Sequence, residues 1–260
     1  MSGSAAGFAD YFSRDSAAYA AFRPRYPAAL FEWLARLSSA RRLAWDVATG
    51  SGQAATMLAP HFARVIASDA SIMQLRARTR APGVHYLAEQ CELSALAGRS
   101  ADLVTVAQAY HWFDHPRFHA EVDRILVPGG AFAAWCYGAP SAEPGIDEAL
   151  ARFYDGTVGA YWPKERVHVE RGYRHFEIPI AEVAAPPLQI EADFTLAQLL
   201  GYVRTWSAVG RYMKANGHDP VPAFGEELAA LWGAPARARP IVWPVSVRAG
   251  RWLGADARAA

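Results

Sequence analysis

Leu43-Ala44-Trp45-Asp46-Val47-Ala48-Thr49-Gly50-Ser51-Gly52-Gln53 is the stretch that decides the fold. Residues 43–47 are an apolar run interrupted by one acid and predict a strand. Residues 49–52 carry two glycines and predict a tight turn; without a Cβ, glycine reaches positive φ and lets a ligand approach the backbone closely. Gln53, Ala54, Ala55, Met57 and Leu58 are compatible with a helix, with no proline before Pro60. Strand, glycine turn and helix form the opening half of a nucleotide-binding βαβ unit, in which N–H groups of the helix start face the ligand. Asp46 bears on the kind of ligand. A carboxylate four residues before Gly50 would repel a pyrophosphate over the turn and suit a ligand with an ammonium group.

Working outward, a helical apolar period precedes this stretch over residues 28–37, and a second apolar strand follows at 65–68. That strand ends at Asp69, 17 residues beyond Gly52, near the roughly 20-residue spacing of an acid that accepts from ribose hydroxyls. A third strand spans 84–88 and leads into Glu89 and Gln90. A fourth covers 102–107 and delivers Gln108-Ala109-Tyr110-His111-Trp112-Phe113-Asp114 to its carboxyl end, the edge where open parallel sheets bind ligands. Aromatic walls there exclude water and favour a cation, and His111 can hold or deprotonate a nucleophile. An amphipathic helix on Phe118, Val122, Ile125 and Leu126 runs into a Val127-Pro128-Gly129-Gly130 turn, and a fifth strand covers 131–136.

The flanks are less regular. Arg23-Pro24-Arg25-Tyr26-Pro27 is a stiff, extended segment whose arginines could take a carboxylate ligand, or stay wet while the arm's aromatics (Phe8, Tyr11, Phe12, Tyr19, Phe22) pack on the core. Beyond Tyr137 the βα rhythm stops. A helical stretch is expected near 146–154, an alternating strand at 188–194, a helix capped by Thr195, and another through Phe224, Leu228, Leu231 and Trp232. The last strand is expected at 242–248, with Pro244 placing it at or near a sheet edge. The insertion is expected to roof the carboxyl edge, with Arg204, Trp206 and Tyr212 as acceptor-facing candidates.

Composition narrows the class. An apolar content of 52% and a charged content of 20% are those of a soluble globular chain, expected in the cytoplasm, with no stretch able to span a membrane. A net charge of +1 gives no electrostatic case for nucleic acid. Cys91 and Cys136 fit neither a disulfide framework nor a metal site. The oligomeric state is not written in the sequence.

Asp46, Ala48, Gly50 and Gly52 resemble the D-x-G/A-x-G-x-G motif of class I S-adenosylmethionine-dependent methyltransferases, with Ala48 standing at the first glycine. Residues 107–113, A-Q-A-x-H-W-F, and residues 19–27 resemble the type 11 small-molecule group related to trans-aconitate methyltransferase. The resemblance implies an α/β fold, a Rossmann-like, doubly wound, seven-stranded, mostly parallel sheet with a helical cap. It implies one methyltransferase domain over 1–260: an arm (1–27), a cofactor-binding core (28–137), a cap with closing elements (138–240), and a last strand and tail (241–260). The implied cofactor is S-adenosyl-L-methionine and the implied partner a small-molecule acceptor. Asp46, Ala48, Gly50 and Gly52 would hold the methionine part, Asp69 the ribose, and Ala70, Glu89 and Gln90 the adenine. Gln108, His111 and Trp112 would line the reacting end, with Arg23, Tyr26 and Arg204 toward the acceptor. His111 would be the base for a hydroxyl acceptor, whereas a carboxylate acceptor needs none. Two alternatives stay open: a catalytically silent binding scaffold, and a nucleotide-cofactor oxidoreductase, against which Asp46 stands.

Overall fold

The computed structural model describes residues 23–254, so the arm's aromatics from Phe8 to Phe22 lie outside the described residues. In chain order the elements are α1 (Ala28–Leu37), β1 (Leu43–Val47), α2 (Gln53–Leu58), β2 (Arg64–Asp69), α3 (Ile72–Arg76), β3 (Val84–Ala88), β4 (Ala101–Ala107), α4 (His115–Ile125) and β5 (Leu126–Tyr137). They continue as α5 (Pro144–Ala151), α6 (Arg166–Glu170), β6 (Ile180–Glu182), β7 (Gln189–Phe194), α7 (Leu196–Arg204), α8 (Ser207–Asn216), α9 (Val221–Trp232) and β8 (Arg239–Trp252). The chain divides into two compact units. One gathers residues 26–137, 168–188 and 245–254; the other gathers 23–25, 138–167 and 189–244.

The larger unit carries a mostly parallel sheet in the order β3-β2-β1-β4-β5-β8-β6. β3, β2, β1, β4 and β5 run parallel, β8 is antiparallel to β5, and β6 is antiparallel to β8. The order reverses between β1 and β4, which creates the crevice where such sheets bind ligands. β1 and β4 are buried almost throughout, as strands covered on both faces must be. The core beside them is built from Trp45, Val104, Tyr110, Phe118, Phe132 and Trp252, all buried.

Three expectations need correction. The Pro128-Gly129-Gly130 segment does not precede the fifth strand but lies inside it. β5 starts at Leu126, and a register shift against β4 between Ala101 and Leu103 absorbs the extra residues, with Gly129 at φ +71°. The last strand is longer than residues 242–248, running over Arg239–Trp252, and it lies next to the edge strand β6, near an edge as Pro244 implied. It pairs with β5 on one side and β6 on the other, and Pro244 is tolerated at the final register position opposite Gln189. Three further elements, α6, β6 and α8, were not expected. Three residues are too short to show alternation, and α8 opens from Trp206 without a side-chain cap.

The smaller unit is mainly helical. Its strand β7 pairs with the first half of β8, and its apolar core includes Phe153 stacked on Phe224, with Trp206 and Tyr202 buried nearby. Thr195 caps α7 in a reciprocal capping box with Gln198, as its sequence position implied.

One buried acid fastens the start of the parallel sheet. Asp102, at the entrance to β4, accepts the backbone N–H groups of Arg42 (2.7 Å) and Leu43 (3.1 Å) and the Arg42 guanidinium (2.7 Å). Burial pushes its carboxyl up, but the hydrogen bonds from Arg42 and Leu43 outweigh that and hold it below the usual carboxylate range. Such an acid contributes stability above its unfolded pKa and loses it as pH falls through the lower folded value. Asp102→Ala should therefore destabilise the chain by about 1–3 kcal/mol at neutral pH, measured by urea unfolding. The penalty should shrink in strong acid, and a penalty independent of pH would show that the carboxylate's charge is not what fastens β1 to β4.

Candidate functional site

The carboxyl ends of β2, β1 and β4 are neighbours, and the sequence places a short chemical cluster at each. At β1 the chain must leave a buried strand and turn at once into α2. Ala48 does so at φ +51°, Gly50 at +59° and Gly52 at +85°. The left-handed region costs a residue with a Cβ about 1–2 kcal/mol, so Ala48 carries strain that a glycine would not.

The two glycines serve different ends. Among the described residues, a Cβ added at Gly50 would find nothing closer than Gln74 Oε1 at 3.9 Å, so they leave the space over this peptide open. A Cβ at Gly52 would meet the Tyr86 hydroxyl at 2.1 Å. Tyr86 also donates to the Thr79 carbonyl (2.5 Å), so Gly52 lets β3 lock the base of the turn. Open peptide at Gly50 is what a ligand needs; close packing at Gly52 keeps the turn rigid.

Two acids bracket that turn. Asp46 is completely buried beneath it, accepting from the hydroxyls of Thr49 (2.5 Å) and Thr105 (2.8 Å) and from the backbone N–H of Ala55. Burial pushes its carboxyl up to about 6 against the opposing pull of these hydrogen bonds, and the charge of Asp69 adds to the rise. Asp69 ends β2. Its Oδ2 accepts from Gly50 N–H (2.8 Å) and its Oδ1 from Ser71 N–H (2.7 Å), so one carboxylate joins the ends of β1 and β2. Burial raises its carboxyl too. The N-cap of α3 is Ser71, whose side chain accepts from Gln74 N–H, which leaves Asp69 outside the capping role. A carboxylate has about four lone-pair sites, so one on each oxygen remains for further donors.

The adenine candidates separate. Ala70 and Gln90 are exposed beyond β2 and β3. Glu89 is committed to the loop after it, accepting from Ser94 Oγ (2.7 Å) and Ala95 N–H (2.9 Å). At the end of β4, Gln108 sits at φ +56°; its N–H donates to the Trp135 carbonyl (2.9 Å) and its amide to that of Tyr137 (3.1 Å). The turn then presents His111 and Trp112, both half-buried, with rings 4.8 Å apart. His111 Nδ1 lies 2.7 Å from the hydroxyl of Tyr173. Nothing local could have singled out a partner 62 positions away.

Tyr26 is buried in the larger unit against Phe31, Trp135 and Tyr137. In the smaller unit, the Arg23 guanidinium lies 5.6 Å from the Tyr202 ring centroid, and Arg204 is ion-paired with Asp219 (2.9 Å), whose other oxygen caps Val221 N–H. Among the described residues there is no cluster of three groups suited to a metal ion, and no helix is long and apolar enough to cross a membrane.

Comparison with known proteins agrees with this geometry. Residues 45–134 match the methyltransferase domain family, a span that runs from Asp46's strand through β5. A solved structure from Anaeromyxobacter dehalogenans, described as a type II methyltransferase, is 45% identical, with a TM-score of 0.84, and the match covers 90% of this chain and 99% of that one. A methyltransferase of Dictyostelium discoideum is 31% identical over 225 residues, 85% of this chain and 86% of its own length. A Saccharomyces cerevisiae protein named as an S-adenosylmethionine-dependent methyltransferase is 30% identical over 149 residues, 54% of this chain and 51% of its own. With the strand order, the glycine turn and the acid ending β2, these relatives establish that the chain belongs to the class I S-adenosylmethionine-dependent methyltransferases.

Proposed function

We propose that the protein transfers a methyl group from S-adenosylmethionine to an oxygen of a small-molecule acceptor, a carboxylate or a hydroxyl. The observation that carries this reading is the open peptide at Gly50 set between two buried acids, Asp46 below and Asp69 beside it. Two carboxylates that burial leaves poorly solvated suit a ligand with positive charge and hydroxyl donors, and Asp46 disfavours phosphates over the turn.

When bound, S-adenosylmethionine supplies a methyl carbon already activated by its cationic sulfur. The residues of this chain then have to orient, exclude water and hold charge. In this reading Ala48, Gly50 and Gly52 cradle the methionine part over the field of Asp46. Asp69 keeps one lone pair per oxygen for the ribose diol. Ala70 and Gln90 flank the adenine, while Glu89 holds the loop that carries Gln90. Gln108, His111 and Trp112 line the reacting end, where Trp112 offers an aromatic face to a cation. Asp46 weighs against a nicotinamide dinucleotide, whereas an acid at the position of Asp69 suits the ribose of either cofactor. A silent scaffold would keep the cofactor site and show no turnover.

Calorimetry on the ligand-free protein should find micromolar binding of S-adenosylhomocysteine and none of NAD; the reverse result would overturn the reading. Asp69→Ala should weaken S-adenosylhomocysteine binding by about tenfold or more, the worth of a charged hydrogen bond at about 1.5–3 kcal/mol. Full affinity in that variant would remove Asp69 from the ribose site.

Asp46 adds a pH dependence. Its folded pKa, up at about 6, lies above the usual carboxylate value, so the native state binds more protons than the unfolded chain between about pH 4 and 6. Stability should fall as pH rises through that window, by up to about 3 kcal/mol. Over the same window the charge that attracts an ammonium ligand appears, so S-adenosylhomocysteine should bind more tightly at pH 7.5 than at pH 5. Asp46→Asn should flatten both profiles, and an unchanged pH dependence in the variant would assign it to another group.

A further inference from the structure

His168 on α6 and His175 in the loop behind it face each other across a short, tight turn. Nδ1 of the first lies 2.5 Å from Nε2 of the second, and the rings stack with centroids 4.7 Å apart. Phe176 packs against both rings, at 4.8 and 4.5 Å. Within the loop that this pair closes, the Tyr173 N–H donates to the His168 carbonyl (3.0 Å). Gly172 and Tyr173 are consecutive left-handed residues, at φ +59° and +61°. A Cβ at Gly172 would meet Ser246 Oγ at 2.5 Å, so only glycine lets the loop press this closely on β8. At Tyr173 the same conformation is costly, because its Cβ crowds the backbone, and it is Tyr173 whose hydroxyl lies 2.7 Å from His111 Nδ1. Two ties hold the loop in this shape. One is Arg248 Nη1, which donates to the carbonyls of Tyr173 (2.8 Å) and Phe176 (3.2 Å); the other is the histidine pair, on the exposed side.

Counting protons decides how the pair behaves. Two neutral imidazoles can share one N–H···N bond, because each has one donor and one acceptor nitrogen. One added proton keeps that bond and makes it charge-assisted. A second leaves no lone pair on either ring, and the contact becomes two cations 2.5 Å apart. Groups coupled this closely take up protons as a pair, with the second uptake well below the first. The surroundings resist the charge as well. Arg171 of the loop and Arg248 of β8 both act on His175, and Glu182 of β6 offsets Arg248 through contacts of 2.5 and 3.0 Å. Glu170, Arg174 and Glu177 are exposed on the same segment, and His115 of α4 meets the far side of Phe176 at 4.7 Å. Partial desolvation, and then the charges of His168, Arg171 and Arg248, hold His175 below the usual histidine range. The folded loop then binds fewer protons than the unfolded chain in that range, so its stability is lost as pH falls, the opposite sign to Asp46.

We propose that His168 and His175 form an acid-sensitive clasp on the functional site: they hold the loop, and with it Tyr173 against His111, until both rings carry a proton, and then let it open. The clasp rests on the geometry of the pair, and its bearing on methyl transfer rests on the methyltransferase reading. Opening removes one of the ties that keep Tyr173 left-handed, so the backbone strain stored there favours release. The pair is exposed, so protons reach it without a larger opening.

Hydrogen–deuterium exchange of the peptide covering 166–178, divided by the intrinsic rate at each pH, reads the loop directly. In the wild-type protein its protection should fall by about tenfold or more between pH 7.5 and 5.0, on either side of the ordinary histidine value. The peptide covering 108–114 should lose protection with it, as Tyr173 leaves His111. His175→Gln and His168→Gln each leave one ring to take a proton, so neither can build the second cation, and each should abolish the fall. Flat protection in the wild-type protein would overturn the proposal, as would an undiminished fall in either variant or a fall in the loop that spares 108–114. Should one variant fold poorly, the other and the wild-type profile still decide. S-adenosylhomocysteine binding at pH 7.5, measured on the same samples, should agree within twofold among the three proteins. Its absence from the wild-type protein would strike at the methyltransferase reading and not at the clasp, so the two failures are separately visible.

Discussion

The carboxylate of Asp69 is the contact on which the site depends, because one buried side chain ties the end of one parallel strand to the turn leaving its neighbour. Parallel strands end together at one edge, and past their ladders the segments that leave them are held by scattered contacts, such as Thr49 N–H to the Ser68 carbonyl (2.9 Å). Those segments must diverge within a residue or two, toward helices on opposite faces. By accepting from Gly50 and Ser71, Asp69 fixes two such departures with a single buried group. Asp46 does the same from below through Thr49 and Thr105, linking the turn to β4. Each acid is held by neutral donors alone, which satisfy its geometry without cancelling its charge.

The backbone strain shares this address. Of the four non-glycine described residues at positive φ, Ala48 ends β1, Gln108 ends β4 and Tyr173 abuts His111; Arg99 is the exception, in a turn before β4. Sharp departures from buried strands leave few conformations, and side chains that must face a ligand take the costly ones. The cost is met by hydrogen bonds formed elsewhere. Gln108 is held by the Trp135 and Tyr137 carbonyls, and Tyr173 by Arg248.

What the sequence disclosed follows the range of the interactions. β1 and β3 are found at the residues that periodicity indicated, because apolar runs closed by glycine or acid are local signals. The capping box at Thr195 is local too, and so is Asp69 at its spacing from the glycine turn. The parts that could not be read depend on long-range partners. β6 is a strand only because β8 lies beside it. Pro244, with its missing N–H, indicated a place at or near an edge, and β8 does lie beside the edge strand β6, but which strands flank it is a property of the whole sheet. The partners of Glu89 after β3, Ser94 and Ala95, belong to a loop with no pattern of its own. Tyr173 had no signal at all until the fold set it against His111.

The electrostatics of the edge give the firmest physical guide to what it holds. Burying one carboxylate is costly, and burying a second close enough to raise the first compounds the cost. A fold that only needed to anchor its turns could do so with neutral amides or hydroxyls, which accept the same hydrogen bonds without the charge. Retaining two acids is sensible where a ligand with positive charge and donor hydroxyls returns the stabilisation that burial removes. A pyrophosphate over the turn would meet Asp46 as repulsion in a poorly screened setting, where charges a few ångströms apart are felt strongly. The glycine turn and an acid ending the second strand are common to both ligand classes, so Asp46, more than either, separates a sulfonium cofactor from a dinucleotide.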